Sequence, residues 1–138
     1  MLTDALIGAL AEAPAALTPF EALLRAFRSA EQFLEDNRPF TAPRQKLIAS
    51  TPALQERELA KTATLIAALA EVLKRRGVEG RLATLAAQVG MAAFSHAVDS
   101  WLDEGSDGLD AHLDRAFDQL RLLSSKYQRA DQDGHSPL

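Results

Sequence analysis

The sequence predicts an all-α protein, an antiparallel helical bundle of about six helices in a single domain. Three observations carry that expectation. Alanine and leucine recur throughout, whereas runs of Val, Ile, Thr and Tyr are scarce, which favours helix over strand. Apolar residues keep three- and four-residue spacing over long stretches. Those stretches begin at Thr-Pro pairs and end at glycines or polar turns. A length of 138 residues suits one domain whose core needs no staples.

The first helix covers about residues 2–12 and ends at "APAA". The second begins at "TPFE": Thr18 stands at the N-cap, Pro19 at the first helical position and Glu21 three residues after the cap. That is a capping box with a proline start. Phe20, Leu23, Leu24, Phe27, Phe33 and Leu34 keep helical spacing as far as about Asp36, where "NRPFTAP" reads as a break. A short third helix follows over about 43–49.

The fourth helix starts at "TPAL" and runs to about Arg76, closed by Gly77. Its expected core stripe is Leu59, Ala63, Ile66, Leu69, Ala70 and Leu73, with Thr62 on the same side. The fifth covers about 79–103 and stops at "EGSDG". The sixth covers about 107–127, with a stripe of Leu109, Leu113, Ala116, Phe117, Leu120, Leu123 and Tyr127. Asp107, Asp110 and Asp114 near its start and Arg121, Lys126 and Arg129 near its end complement the helix dipole. The domain therefore spans residues 1–127, and the polar, aperiodic tail 128–138 is expected to be disordered.

Composition removes several functions. The chain has no cysteine, so disulfides, thiol chemistry and Cys-based zinc sites are out. No apolar run reaches the length of a membrane span. The start "MLTDALIGALAEAP" lacks the basic region of a signal peptide, so a cytoplasmic location is expected. A formal charge of −4 makes the chain a poor nucleic-acid binder by itself, because phosphate affinity comes mainly from Lys and Arg.

The fifth helix is the most informative. At 100° per residue, one face collects Leu82, Leu85, Ala86, Val89, Ala93, His96, Ala97 and Ser100. A second collects Met91, Phe94, Val98, Trp101 and Leu102. A helix apolar on two faces must be covered on two sides. The simplest cover pairs the fifth and sixth helices with their copies in a second chain, a four-helix seam across a two-fold axis. The expected homodimer interface is Val89, Ala93, His96, Ala97, Ser100, Leu113, Phe117 and Leu120. The Met–Phe–Val–Trp face is expected to meet the domain's own core and pocket; the reverse orientation is the alternative.

Chemical sites are weaker candidates. His96 and Asp99 share a helix side, as a metal pair or a base with its orienter would. Metal sites need three or four ligands, and neither HExxH nor CxxC is present. Ser95 is adjacent to His96 and so points about 100° away from it. His112 falls on the polar side of the sixth helix. No catalytic residue, metal or cofactor is assigned, and the chain is not read as an enzyme. Arg38, Arg44, Lys46, Arg75 and Arg76 are basic spots at helix ends, some of which could meet an anionic ligand at a pocket mouth. The second, fourth and fifth helices could enclose a pocket, with Thr62, Gln88 and Ser95 as its scattered polar groups. Candidate lining residues are Phe20, Leu23, Phe27, Leu47, Thr62, Ile66, Leu69, Met91, Phe94, Ser95 and Val98. A fully packed core fits the same periodicity.

A resemblance sharpens these readings. "RQKLIASTPALQERELAKTATLIAALAEVLKRRG" resembles the sixth and seventh helices of TetR-family transcriptional regulators. "RLATLAAQVGMAAFSHAVDSWLDEGSDGLDAHLDRAFDQLRLL" resembles their eighth and ninth. The carrying pieces are "RQKLIASTPAL", Trp101 before an acid–Gly turn, and "LDRAFDQL", and the nearest branch in style is the mycofactocin-system regulator's C-terminal domain. The resemblance runs from about residue 2 to 125. It implies an effector-binding and dimerisation domain, with the last two helices in a four-helix dimer interface and the pocket among the preceding ones. It also implies a small hydrophobic or acyl-type effector. The family's N-terminal helix-turn-helix, with its Ala-Gly-Val turn and Tyr-x-x-Phe run, has no counterpart in these residues. DNA would be met only through such a domain outside this chain, so a C-terminal piece of a longer repressor is expected. The alternatives are a helical interaction module without a small ligand and, last, an enzyme using His96 and Asp99.

Overall fold

The computed structural model describes residues 2–104 and 107–125. Among them are seven helical segments and no strand: α1 (Leu2–Glu12), α2 (Pro19–Arg28), α3 (Glu31–Asp36), α4 (Arg38–Ala49), α5 (Pro52–Arg75), α6 (Gly80–Glu104) and α7 (Leu109–Ser124). The protein is an all-α bundle. Tyr127 and the tail 128–138 lie outside the described residues.

Local signals set most boundaries. The capping box at the start of α2 forms in full: the Glu21 N–H donates to Thr18 Oγ1 at 3.2 Å, and the Thr18 N–H donates to Glu21 Oε1 at 2.9 Å. Gly77 closes α5 with φ +100°, a value that favours glycine. Around it the Val78 N–H donates to Leu73 O and the Gly77 N–H to Lys74 O, the paired bonds of a Schellman turn.

Two boundaries differ from expectation. The second predicted helix is two pieces, because Ser29 Oγ donates to Ala26 O at 2.6 Å and the chain bends into α3 there. "NRPFTAP" does not break the chain into loop; α4 starts at Arg38 rather than near residue 43. Pro39 falls in the first turn, where its missing N–H is not needed. Pro43 does sit inside the helix and removes one ladder bond.

α6 is the central element and packs against α5, α7 and α2. Phe94, Val98 and Trp101 turn inward with Ala83, Ala87, Ala93 and Ala97. α2 comes close at Gly90, where a Cβ would stand 2.9 Å from Leu23 Cδ1. On α5 the buried stripe is Leu65, Leu69, Ala70, Val72 and Leu73. The expected stripe leaned outward at its start: Leu59 is 70% exposed, Ala63 is exposed and Ile66 is only partly buried. On α7, Leu123 is likewise exposed, because the helix has run past the core.

Polar ties join the helix ends. Arg76, one of the basic spots at helix ends, donates through Nη1 to Ala13 O at 2.6 Å and through Nη2 to Pro14 O at 2.9 Å, closing the end of α1. Gly108 gives α7 no side-chain cap. Instead Glu35 and Glu31 of α3 accept from the Leu109 and Asp110 N–H groups, each at 3.3 Å. Arg28 of α2 pairs with Asp110 and Asp114. His112 is buried at 2% exposure, not on a polar side, because its register matches Leu109, Leu113 and Ala116.

Candidate functional site

A cavity of about 620 Å³ opens between α1, α3, α4, α5 and α6. α4 explains why space is left there. It has no fully buried residue, and Phe40 on it is 73% exposed. Polar ties hold it instead. Arg38 stacks its guanidinium 4.6 Å from the centre of the Trp101 ring and donates to Trp101 O at 3.0 Å. Arg44 donates to Glu58 on α5 at 3.0 Å. A helix held at points by long side chains stands off the core rather than sealing it.

The lining is built element by element. α1 supplies Leu2, Thr3 and Leu6; α3 supplies Phe33 and Leu34; Asn37 follows. α4 supplies Phe40, Thr41, Arg44 and Gln45, and α5 supplies Glu58, Lys61, Thr62 and Leu65. α6 closes the wall with Met91, Phe94, Ser95, Val98 and Asp99. The lining mixes apolar side chains with hydroxyl, amide and charged groups, the last being Arg44, Glu58, Lys61 and Asp99. A smaller cavity of about 440 Å³ is lined by Leu47, Ile48, Leu54 and Arg57, and shares Arg44, Glu58 and Lys61 with the first.

Five of the expected pocket residues line the main cavity: Thr62, Met91, Phe94, Ser95 and Val98. Leu47 lines the smaller one. Leu23, Phe27 and Leu69 are fully buried in the core, and Ile66 packs at its edge. Phe20 is 38% exposed and meets Phe117 edge-on, with ring centres 6.3 Å apart. Gln88 is exposed and outside the lining. Sequence reasoning missed the contributions of α1 and α3 and, on α4, named only Arg44 and Leu47. The available signal was the apolar content of "NRPFTAP" and its neighbours, with Phe33 and Phe40 beside a supposed break.

The residues expected at a dimer seam divide into two groups. Ala93, Ala97, Leu113 and Phe117 are buried within their own chain. Val89, Ser100 and Leu120 are half-buried, and His96 is exposed.

Two carboxyls are shifted. Burial pushes Glu58 up, but hydrogen bonding and charge from Arg44, together with Lys61, outweigh it and hold the group below the ordinary range. Asp99 is raised by partial burial and by the Asp103 carboxylate, against an opposing pull from His96. Among the described residues no group of three or more His, Cys, Asp or Glu side chains is placed to hold a metal ion. Among them, too, no helix is long and apolar enough to cross a membrane.

The described residues thus form an all-α bundle whose helices wall a cavity of about 620 Å³. The chain belongs to the family of the MftR C-terminal domain, within the TetR class, whose family model matches residues 17–123. No curated protein matches the chain.

Proposed function

We propose that this domain senses a small, mostly apolar effector and signals its presence through a homodimer to a DNA-binding domain outside these residues. The cavity carries the reading. Its volume of about 620 Å³ falls within the range of small-molecule sites, roughly 300–1,000 Å³. Its wall sets apolar side chains such as Leu65, Phe94 and Val98 beside polar and charged ones such as Thr62, Arg44 and Glu58, which would fix a ligand's orientation. The effector would touch α1 at Leu2 and Leu6, while Arg76 clamps the other end of that helix. Occupancy would therefore bias the element leading out of the domain, as a population shift between two arrangements.

Pairing is supported by apolar surface that the chain leaves uncovered. Leu82 and Leu85 near the start of α6 are 59% and 55% exposed, and Leu122 and Leu123 near the end of α7 are 44% and 81% exposed. α6 and α7 pack against each other, and these leucines lie toward the same end of the pair. A second copy would cover them across a two-fold axis, with Val89, His96, Ser100 and Leu120 alongside.

Native mass spectrometry on freshly purified protein tests both halves. A dimer mass with a retained small molecule is the expected result. Thr62→Trp, which fills the cavity from α5, should remove the added mass and keep the dimer. Retention unchanged by that substitution would overturn the ligand assignment.

A further inference from the structure

Two cations and one carboxylate meet where the two cavities share a wall, and a third cation lines the smaller cavity. Arg44 Nη2 donates to Glu58 Oε1 at 3.0 Å, and Lys61 Nζ lies 3.4 Å from the same oxygen. Both cavities are lined by these three residues, and Arg57 joins them in the smaller one. Arg57 has no carboxylate partner among the described residues. One carboxylate thus serves two cations, with a third in the smaller cavity's lining. Asp99, the other acid of the main cavity, lies on α6 and makes no ion pair with these cations.

The arrangement is already a carboxylate site, occupied by the chain's own Glu58. Its geometry is that of a charge-assisted hydrogen bond, the strong kind. It is also half open to water: the Arg44 and Glu58 side chains are 52% and 34% exposed. An exposed pair of this kind contributes little to stability, so a ligand group that repeats it can replace it at small cost. Arg44 sits on α4, the helix without a buried residue, and Phe40 of that helix lies open beside an apolar wall of Leu65 and Phe94. An occupant that covered Phe40 and satisfied Arg44 would tie α4 down at both points.

We infer that the site takes a carboxylate-headed amphiphile, whose head displaces Glu58 from Arg44 and Lys61 while its apolar body lies in the main cavity against Phe40, Leu65 and Phe94. This rests on the ligand-binding reading above and adds to it the head group and an internal competitor. Glu58 holds the subsite when no ligand is present, and the ligand must be an anion to take it.

The test uses three probes with one twelve-carbon chain, dodecanoate below its micelle concentration and its methyl ester and dodecan-1-ol below their solubility limits. Binding is read by isothermal titration calorimetry on the full chain at neutral pH. Dodecanoate is expected to bind at least about tenfold tighter than either neutral probe, the scale of one charge-assisted hydrogen bond. Arg44→Met should abolish the difference between dodecanoate and the two neutral probes. Glu58→Gln should strengthen dodecanoate binding several-fold, because the competitor is gone. Equal binding of all three probes by the unaltered chain would overturn the inference and leave the apolar pocket standing. So would a Glu58→Gln variant that binds dodecanoate no better. Failure of every probe to bind would overturn both readings. Circular dichroism of each variant checks that the fold is kept.

Discussion

Phe27 and Phe94 stack face to face, with ring centres 4.5 Å apart and planes 12° from parallel. Phe27 is fully buried, and it also meets Phe117 at 6.2 Å. Phe94 lines the cavity. The back wall of the site is therefore one side of the aromatic cluster that joins α2, α6 and α7. Rigidity of the wall and stability of the fold are the same contact.

Removing that contact should unfold the domain before it alters binding. Phe27→Ala is expected to cost about 3–5 kcal/mol, the usual scale for a buried aromatic ring. Urea denaturation should show a lower midpoint at an unchanged slope. A loss under about 1 kcal/mol, far below that scale, would mean that the ring is not the keystone of the cluster.

Pairing and folding can be separated by choosing surface leucines. Leu85→Asp and Leu123→Asp lie at side chains that are 55% and 81% exposed. Each is expected to leave the helical signal intact and to shift sedimentation toward monomer. Phe117→Asp should instead abolish the fold, since that ring is 2% exposed within its own chain. A dimer that persists in both leucine variants would place the interface on another face.

Two glycines should respond with opposite sign. A Cβ at Gly8 in α1 would meet nothing within 4 Å, so Gly8→Ala should stabilise by about 0.5–1 kcal/mol through helix propensity. A Cβ at Gly90 would come within 2.9 Å of Leu23 Cδ1, on a side chain that is fully buried and has little room to yield. Overpacking of that kind costs about 1–3 kcal/mol, which outweighs the propensity gain. Thermal melts of the two variants should move in opposite directions; a stabilised Gly90→Ala would show that α2 and α6 can separate freely.

What could be read from the sequence was what is local or periodic. The capping box at Thr18 and Glu21 and the turn at Gly77 depend on residues a few positions apart, and both form as expected. On α6 the period predicts two apolar faces: Met91, Phe94, Val98 and Trp101 turn inward as expected, but so do Ala93 and Ala97, which were expected to meet the partner chain. The proline-rich entry to α4 misled because Pro39 costs nothing in a first turn. Arg76 and Glu35 escaped because each caps a helix distant in sequence. His112 was judged by residue type, while its register with Leu109 and Leu113 decides its burial. The cavity was half legible for a related reason. Residues on long amphipathic helices could be listed, but which helix stands off the core depends on how neighbours tie it, as Arg38 and Arg44 do for α4.

The acid response of the domain should carry two small terms of opposite sign. Glu58 has a lowered pKa in the fold, despite its burial, because Arg44 and Lys61 hold the ionised form. The unfolded chain therefore binds the proton more readily than the folded one, and the stabilisation is present at neutral pH. It is lost as pH falls from roughly 4.3, the ordinary glutamate value, through the lower folded one. Asp99 is shifted upward by partial burial and then by Asp103, with His96 opposing. Its ionised form is the less favourable one in the fold, so it destabilises at neutral pH. That cost is relieved as pH falls through the raised value, and is gone below roughly 3.9. At pH 7 Glu58→Gln should therefore lower the melting temperature slightly, and Asp99→Asn should raise it. The Asp99 difference should be gone below roughly 3.9, and the Glu58 difference should fade as pH falls through that group's lowered folded value. Both groups face water in part, so added salt should compress the two differences as well. A pH series of melts at low and high salt reads all four outcomes. An Asp99→Asn variant less stable than the unaltered chain at pH 7 would mean that the carboxylate is held by a favourable contact, and that Asp99 belongs to the charged wall of the cavity with Arg44 and Lys61.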